Sequence, residues 1–274
     1  IYQTYYTGIG AAVSILFAKE GANVAIVARN HAKLTDIGKK IEATGKKPLI
    51  IQADISNEEE AETVISKTID HFGKLDILVN NAGISSPGSI MNGKIVEAYD
   101  EVMKTNVRAV IHLTSLAAPY LVKTKGNIIN VSSGAALRPS KEPTSASYHV
   151  SKAALDHFSR CAALELATVG IRVNTVNPGP VDNDFFTNNG GDTSLKSDHK
   201  KIMEELTALG YLSTNEEIGS VIFLLMYTYI LYVYLTQLLI RWVLWLYLTF
   251  SCCQQMYFTR YTKKVNDFLP LIFG

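Results

Sequence analysis

The chain returns again and again to short, nearly uninterrupted runs of β-branched and aliphatic residues, each followed by a longer amphipathic stretch. Runs at 22–28, 48–52, 75–79, 127–131 and 171–176 read as strands. Runs without polar alternation suit strands covered on both faces, which is the condition of a parallel sheet. Apolar residues at helical spacing predict helices over 8–19, 31–44, 58–72, 97–123 and 147–168, the third opened by Ser56 and Asn57 ahead of an acidic first turn. This alternation leaves few architectures. It predicts a doubly wound α/β domain of three αβα layers around a parallel sheet, Rossmann-like in its winding. Ligands of such sheets lie beyond the carboxyl ends of the strands. Asp54, Asn80 to Gly83, Ser133, Pro178 and Gly179 all follow predicted strands and so converge on one rim.

A chain of 274 residues, 47% hydrophobic and 19% charged, can bury one full core. The regular pattern covers 1–225, and 226–274 has a different character. A net charge of +1, with no basic stripe or acidic tail, gives no footprint for nucleic acid. Cys161, Cys252 and Cys253 form no C-x-x-C pair and match no histidine spacing, so neither a disulfide framework nor a metal site is expected, and a reducing, cytoplasmic setting is. No charged region followed by an apolar stretch and a small-residue cleavage site opens the chain, so no secretory leader is expected.

The chemistry is concentrated at Tyr148 and Lys152. Residues four apart share a helix face, so the ammonium stands beside the phenol. A neighbouring cation lowers a tyrosine from its ordinary ~10 by roughly 1 to 3 units, into a useful acid/base range. The pair alone is also what a solvated helix face carries; Ser133 at the end of an apolar run and the upstream Asn80, Asn81, Ala82 and Gly83 change its meaning. A hydroxyl, a phenol and a cation around one rim suit proton transfer to a carbonyl during hydride transfer. A serine hydrolase is disfavoured, because Ser133 lies in no G-x-S-x-G elbow and the histidines are scattered.

Taken in order, these motifs resemble the short-chain dehydrogenase/reductase family, in its shorter single-domain branch, from Gly8 to Leu225. The resemblance makes Gly8, Ile9 and Gly10 the end of the glycine-rich cofactor turn, Asn80 to Gly83 the sheet-stabilising motif, and Asn106 the helix-borne asparagine of the active site. It implies a catalytic set of Asn106, Ser133, Tyr148 and Lys152. Tyr148 would be the general acid in reduction and the base in oxidation; Lys152 would lower its pKa and bond the nicotinamide ribose; Ser133 would hold the substrate oxygen; Asn106 would anchor a relay water. The cofactor contacts implied are Gly8, Ile9, Gly10, Arg29, Asp54, Ile55, Asn80, Ala82, Gly83, Tyr148, Lys152, Pro178, Gly179 and Val181. Where the family places an acid for the ribose hydroxyl of NAD, this chain has Ala28 followed by Arg29, which favours the 2′-phosphate of NADP (NADPH) over NAD.

The substrate implied is a small-molecule carbonyl or secondary alcohol, with a 3-oxoacyl thioester as the alternative. The polar segment 182–213 reads as a mobile flap, with Phe185, Phe186, Met203 and Leu206 as candidates to line an apolar pocket, the last two better suited to packing a short helix. A homo-oligomer, dimer or tetramer, is expected through the helices at 97–123 and 147–168.

Both ends depart from the family pattern. The residues before Gly8 offer a short β-prone stretch, Ile1 to Tyr6, in place of a full first strand, with Thr4 where the first turn glycine aligns. An incomplete first strand at the sheet centre leaves a noncatalytic remnant of the fold as the competing reading. After Leu225 the family's final turn and strand do not follow. Residues 221–240 carry no charge, long enough to cross a bilayer, with Arg241, Trp242 and Trp245 at an interface. Membrane association through 221–250 is one expectation; translated noncoding sequence, which also changes composition abruptly, is the favoured one.

Overall fold

The computed structural model describes residues 2–3, 8–139, 144–189 and 192–238, with backbone alone at 2–3 and 227–238. Its sheet has six parallel strands: β1 (Tyr2–Gln3), β2 (Ala25–Ala28), β3 (Leu49–Gln52), β4 (Ile77–Asn80), β5 (Asn127–Val131) and β6 (Arg172–Val176). Their order is β3-β2-β1-β4-β5-β6, the doubly wound order that the alternation predicts. β1 is short but central, with Tyr2 registered against both Ile26 and Val79, and Gln3 against both Val27 and Asn80. The β-prone opening therefore does serve as a first strand, incomplete at two residues.

Successive strand residues face opposite layers. Ala25, Val27, Leu78 and Ile128 pack against α3 (Glu58–Phe72) and α5 (Ala109–Thr124), through Ala61, Val64, Leu113 and Leu121. Ile26, Val79 and Ile129 pack on the other side against α1 (Ile9–Lys19), α2 (His31–Glu42) and α9 (Asn215–Leu238), through Val13, Phe17, Leu34, Ile41 and Ile222. Two apolar faces explain the lack of polar alternation in these runs. The ends of the helices follow from local chemistry: Asn57 Oδ1 accepts the N–H groups of Glu59 and Glu60 at the start of α3, and Gly73 closes it in the left-handed region at φ 72°.

The helix predicted over 97–123 is instead α4 (Ile95–Met103), a π turn at Lys104–Arg108, and α5. Past β6 come a one-turn helix α7 (Phe185–Asn188), α8 (Lys196–Glu205) and α9, while α6 (Ala146–Ala167) packs beside β6 and α4. The expected packing of Met203 and Leu206 does not occur: α8 buries none of its residues, and Leu206 just beyond it is 55% exposed. Its run of lysine, aspartate and glutamate side chains leaves too narrow an apolar stripe to seat.

The chain divides into two compact units, Ile1–Met226 and Tyr227–Gly274. Among the described residues no helix is long and apolar enough to cross a membrane. The side chains of 227–250, which carry most of the anchor expectation, lie outside the described residues, as do Thr4 and residues 140–143.

Candidate active site

The rim is assembled from strand ends wired by amides. Asn80 Nδ2 donates to Asn130 Oδ1 at 2.8 Å, Asn130 Nδ2 to Ser159 Oγ at 2.8 Å, and Ser159 Oγ to Leu155 O at 2.7 Å. This buried chain joins β4, β5 and α6. Asn106, fully buried in the π turn, holds the loop after β4: its Oδ1 accepts the Ile84 N–H at 2.8 Å, and its Nδ2 donates to Ile84 O at 2.9 Å and Ser151 Oγ at 3.0 Å. Widened π turns recur at functional sites, where they re-aim a side chain. Here the re-aimed side chain fixes Gly83 against Lys152. A Cβ on Gly83 would stand 3.3 Å from Lys152 Nζ and 3.5 Å from Asn106 Oδ1, so glycine is what lets the loop close.

Lys152 Nζ donates to Val131 O at 2.9 Å and lies 5.7 Å from the centre of the Tyr148 ring. Burial pulls its pKa from the ordinary 10.5 to about 8, against the opposing charge of Asp156. Ser133, extended at the end of β5, accepts the Ala135 N–H on its Oγ at 3.1 Å, and its hydroxyl bonds the Tyr148 oxygen. Tyr148 is half-buried as a residue, with its hydroxyl end enclosed. Burial raises the phenol above its ordinary 10.0, with the Ser133 hydrogen bond acting the other way. This reverses the direction expected from sequence, where the cation was to lower the phenol. Desolvation of the hydroxyl wins in the enclosed site.

The loops after β5 and β6 are locked together. Gly134 N–H donates to Pro178 O at 2.8 Å, and Asn177 Nδ2 donates to Ser133 O at 3.1 Å and to Asp156 Oδ2 at 2.8 Å. Gly179 follows, and Val181 bridges Ser213 in parallel fashion, carrying the chain into the flap. The flap is docked: Asn189 Oδ1 accepts the Ser85 N–H at 2.7 Å, and the Phe185 ring lies 5.5 Å from the Tyr148 ring. Beneath it is an open cleft lined by Ile9, Gly83, Tyr148 and Lys152 on one part and by Asn183, Phe185, Asn188 and Asn189 of the flap on the other.

The other predicted residues lie further along the same rim. Gly8, at φ 95°, precedes α1, whose N-terminus has no side-chain cap, and Gly10 is buried in its first turn. An uncapped helix start with exposed N–H groups fits a pyrophosphate. Arg29 follows β2 and lies 3.9 Å from Asp54 across the strand ends, its side chain 58% exposed. Asp54 Oδ1 also accepts the Ser56 N–H at 2.9 Å, a turn role. Ile55 and Ala82 are buried, so only their backbone could face a ligand. The residues present thus fit a dinucleotide laid across the sheet, phosphates at α1 and nicotinamide ribose at Lys152.

Sequence reasoning passed over Asp156, Ser151 and Asn183, and placed Asn188 and Asn189 in the flap without giving their amides a role. Asp156 had a signal: 148, 152 and 156 form one helical stripe. The flap amides had none, because their position over Tyr148 depends on how the chain folds back after β6.

A family model described as short chain dehydrogenase matches residues 4–193. L-xylulose reductase of Caenorhabditis elegans is 37% identical over 221 residues, 80% of this chain and 84% of that protein. An uncharacterized oxidoreductase of Staphylococcus epidermidis is 33% identical over 177 residues, 64% of this chain and 74% of that one. Among solved structures, a short-chain dehydrogenase/reductase of Caenorhabditis elegans, determined with cofactor, superposes with a TM-score of 0.77 at 34% identity, covering 82% of this chain and 86% of that one. With its sheet order, its rim and these likenesses in agreement, the chain belongs to the short-chain dehydrogenase/reductase family of oxidoreductases, whose fold implies a nicotinamide cofactor.

Proposed function

We propose that the chain is an NADP(H)-dependent reductase of a small carbonyl compound, with Tyr148 as the proton donor. The observation that carries this reading is that Tyr148 and Lys152 line one cleft, with the Ser133 hydroxyl hydrogen-bonded to the phenol and the phenol pushed up by burial. A neutral phenol is the form needed to protonate a nascent alkoxide, which is its role in the reductive direction. Ser133 would hold the substrate oxygen within reach of the phenol. Lys152, anchored on Val131 O, would hold the nicotinamide ribose and place positive charge where the tyrosinate forms. Bound nicotinamide would supply the hydride. Asn106 would orient the Gly83 loop and, through Ser151, the first turn of α6. Arg29, cationic and exposed beside the end of β2, favours a 2′-phosphate, and Asp54 across from it positions the guanidinium.

Substrate class follows the relative rather than the roof of the cleft. Asn189 accepts from Ser85 N–H and donates to Phe185 O, and Asn183 accepts from Phe185 N–H and donates to Asn215 Oδ1, so both amides hold the flap together. The likeness to L-xylulose reductase favours a compact hydroxylated ketone over a 3-oxoacyl thioester. Turnover of a sugar ketone and of an acetoacetyl thioester with NADPH tests this directly.

Tyr148→Phe is expected to lower kcat by at least about 100-fold while keeping the rise in Tm on adding NADPH, which follows ligand affinity. NADPH should raise Tm more than NADH at equal concentration. Undiminished turnover in Tyr148→Phe overturns the proton-donor assignment, and a wild-type chain that neither NADPH nor NADH stabilises is a noncatalytic form of the fold.

A further inference from the structure

We infer that Asp156 is a positioning residue for the Tyr148 and Lys152 pair: its carboxylate keeps the Lys152 ammonium charged inside the fold and, through Asn177, fixes the strand-end carbonyl of Ser133. The inference deepens the carbonyl-reductase reading and rests on it. Asp156 lies four residues beyond Lys152 on α6, on the stripe that also carries Tyr148. It is buried, 8% exposed, and its Oδ2 accepts from Asn177 Nδ2 at 2.8 Å. The same Nδ2 donates to Ser133 O at 3.1 Å. One amide therefore ties the carboxylate of the cation's neighbour to the residue that bears the substrate-side hydroxyl.

The other carboxylate oxygen makes the case for a charge role. Asp156 Oδ1 is buried with no hydrogen-bond partner among the described residues. A buried carboxylate with one oxygen unpaired is costly, and a serine would accept from Asn177 without that cost. Hydrogen bonding to Asn177 alone gives no reason for a charge at this position. The field on Lys152 does. Around the ammonium, β5 contributes the Val131 carbonyl, the loop after β4 contributes Gly83, the π turn contributes Asn106, and α6 contributes Tyr148 and Asp156. Among these described residues Asp156 is the one carrying opposite charge. Burial already brings Lys152 to about 8, so removing the carboxylate would leave the site uncharged near neutral pH and deprive Tyr148 of its cation.

The test follows Lys152 directly, by the ¹³Cε chemical shift of lysine-labelled full-length protein across pH. Asp156→Asn preserves an acceptor for Asn177 and the side-chain shape while removing the charge. It is expected to shift the Lys152 ionisation constant by at least about ten-fold, one pH unit, toward lower pH, and Asp156→Glu to restore it. In turnover, the alkaline limb of the kcat profile should move with the Lys152 midpoint. An unchanged midpoint in folded Asp156→Asn overturns the inference, even if Tm falls, because that pattern is a packing role. Should that variant not fold, the wild-type protein still decides: the ¹³Cγ resonance of Asp156 must show an inflection near pH 8, where Lys152 titrates, and its absence refutes the inference. These resonances need neither substrate nor cofactor, so a chain without turnover would refute the carbonyl-reductase reading and leave this measurement standing.

Discussion

At the scale of single residues the site is a set of close approaches and opposed costs. Gly83 has no left-handed backbone requirement; its value is the space between the loop, Lys152 Nζ and Asn106 Oδ1. Gly83→Ala should therefore fold normally yet displace the ammonium by a few tenths of an ångström. A loss of about ten-fold in kcat is expected, since misplacement by a full ångström costs about 100-fold. Steady-state kinetics beside a thermal melt checks it: a variant with wild-type kcat, or one whose main defect is a lower Tm, would show that the approach is not functional. Lys152 also carries a folding cost whose sign is fixed by its titration. The fold lowers its pKa from 10.5 to about 8, so the unfolded chain binds this proton more tightly and the group opposes folding below pH 8. That penalty fades as pH rises from about 8 toward 10.5. Stability is given up where the charge is wanted. Sequence displayed Tyr148, Lys152 and Ser133 plainly, because spacing on a helix and position after a strand are local properties. It misjudged the direction of the phenol, because burial of its hydroxyl is a property of the folded chain that helix spacing does not display.

At the scale of elements, the parallel sheet is less apolar than its strands first read. β5 is buried along its whole length, yet it holds Asn127 and Asn130. Each amide has a cross-strand or cross-layer partner: Asn174 Nδ2 donates to Asn127 Oδ1 at 2.9 Å, and Asn130 sits between Asn80 and Ser159. The links fix the register of β4, β5, β6 and α6, the elements whose ends carry the rim. Asn80 already has a buried Oδ1 without a partner among the described residues, so Asn130→Leu would strand its Nδ2 as well. A cost of about 1–3 kcal/mol is expected, read as a Tm drop of about 2–4 °C per kcal/mol. Replacing both partners, Asn80→Leu with Asn130→Leu, should recover part of the loss, because no amide is then left unpaired. Denaturant unfolding of both single variants and the double variant decides it; a double variant as unstable as the sum of its parts would mean the amides do not act as a unit. The strands themselves were legible from hydrophobic pattern. The break of the long helix at Lys104–Arg108 was not, since a π turn is specified by the tertiary bonds of Asn106 rather than by periodicity.

At the scale of the whole molecule, the doubly wound order was legible because alternating elements with right-handed crossovers leave few other ways to cover both faces of a sheet. Its centre was harder to see: β1 has two residues, and its pairing with β2 and β4 is a property of the assembled sheet. What the single chain leaves open to solvent is also informative. Val96 and Tyr99 on α4, Ile111 on α5, and Val150 and Leu164 on α6 are between 41% and 79% exposed, on helices that flank one side of the domain. Large apolar side chains clustered on adjacent helices, with the site on the strand rim above them, are the expected composition of an isologous contact between copies. The wild-type chain should therefore run as a dimer or tetramer in light scattering. Leu164, the most exposed of these five at 79%, gives the sharpest test. Leu164→Glu places like charges across a two-fold contact and should lower the mass toward the monomer. Because Leu164 lies on the outer face of α6, away from Lys152 and Asp156, the NADPH-induced rise in Tm should persist in that variant. A wild-type protein that is monomeric at micromolar concentration, or a Leu164→Glu variant of unchanged mass, would assign those side chains no part in assembly.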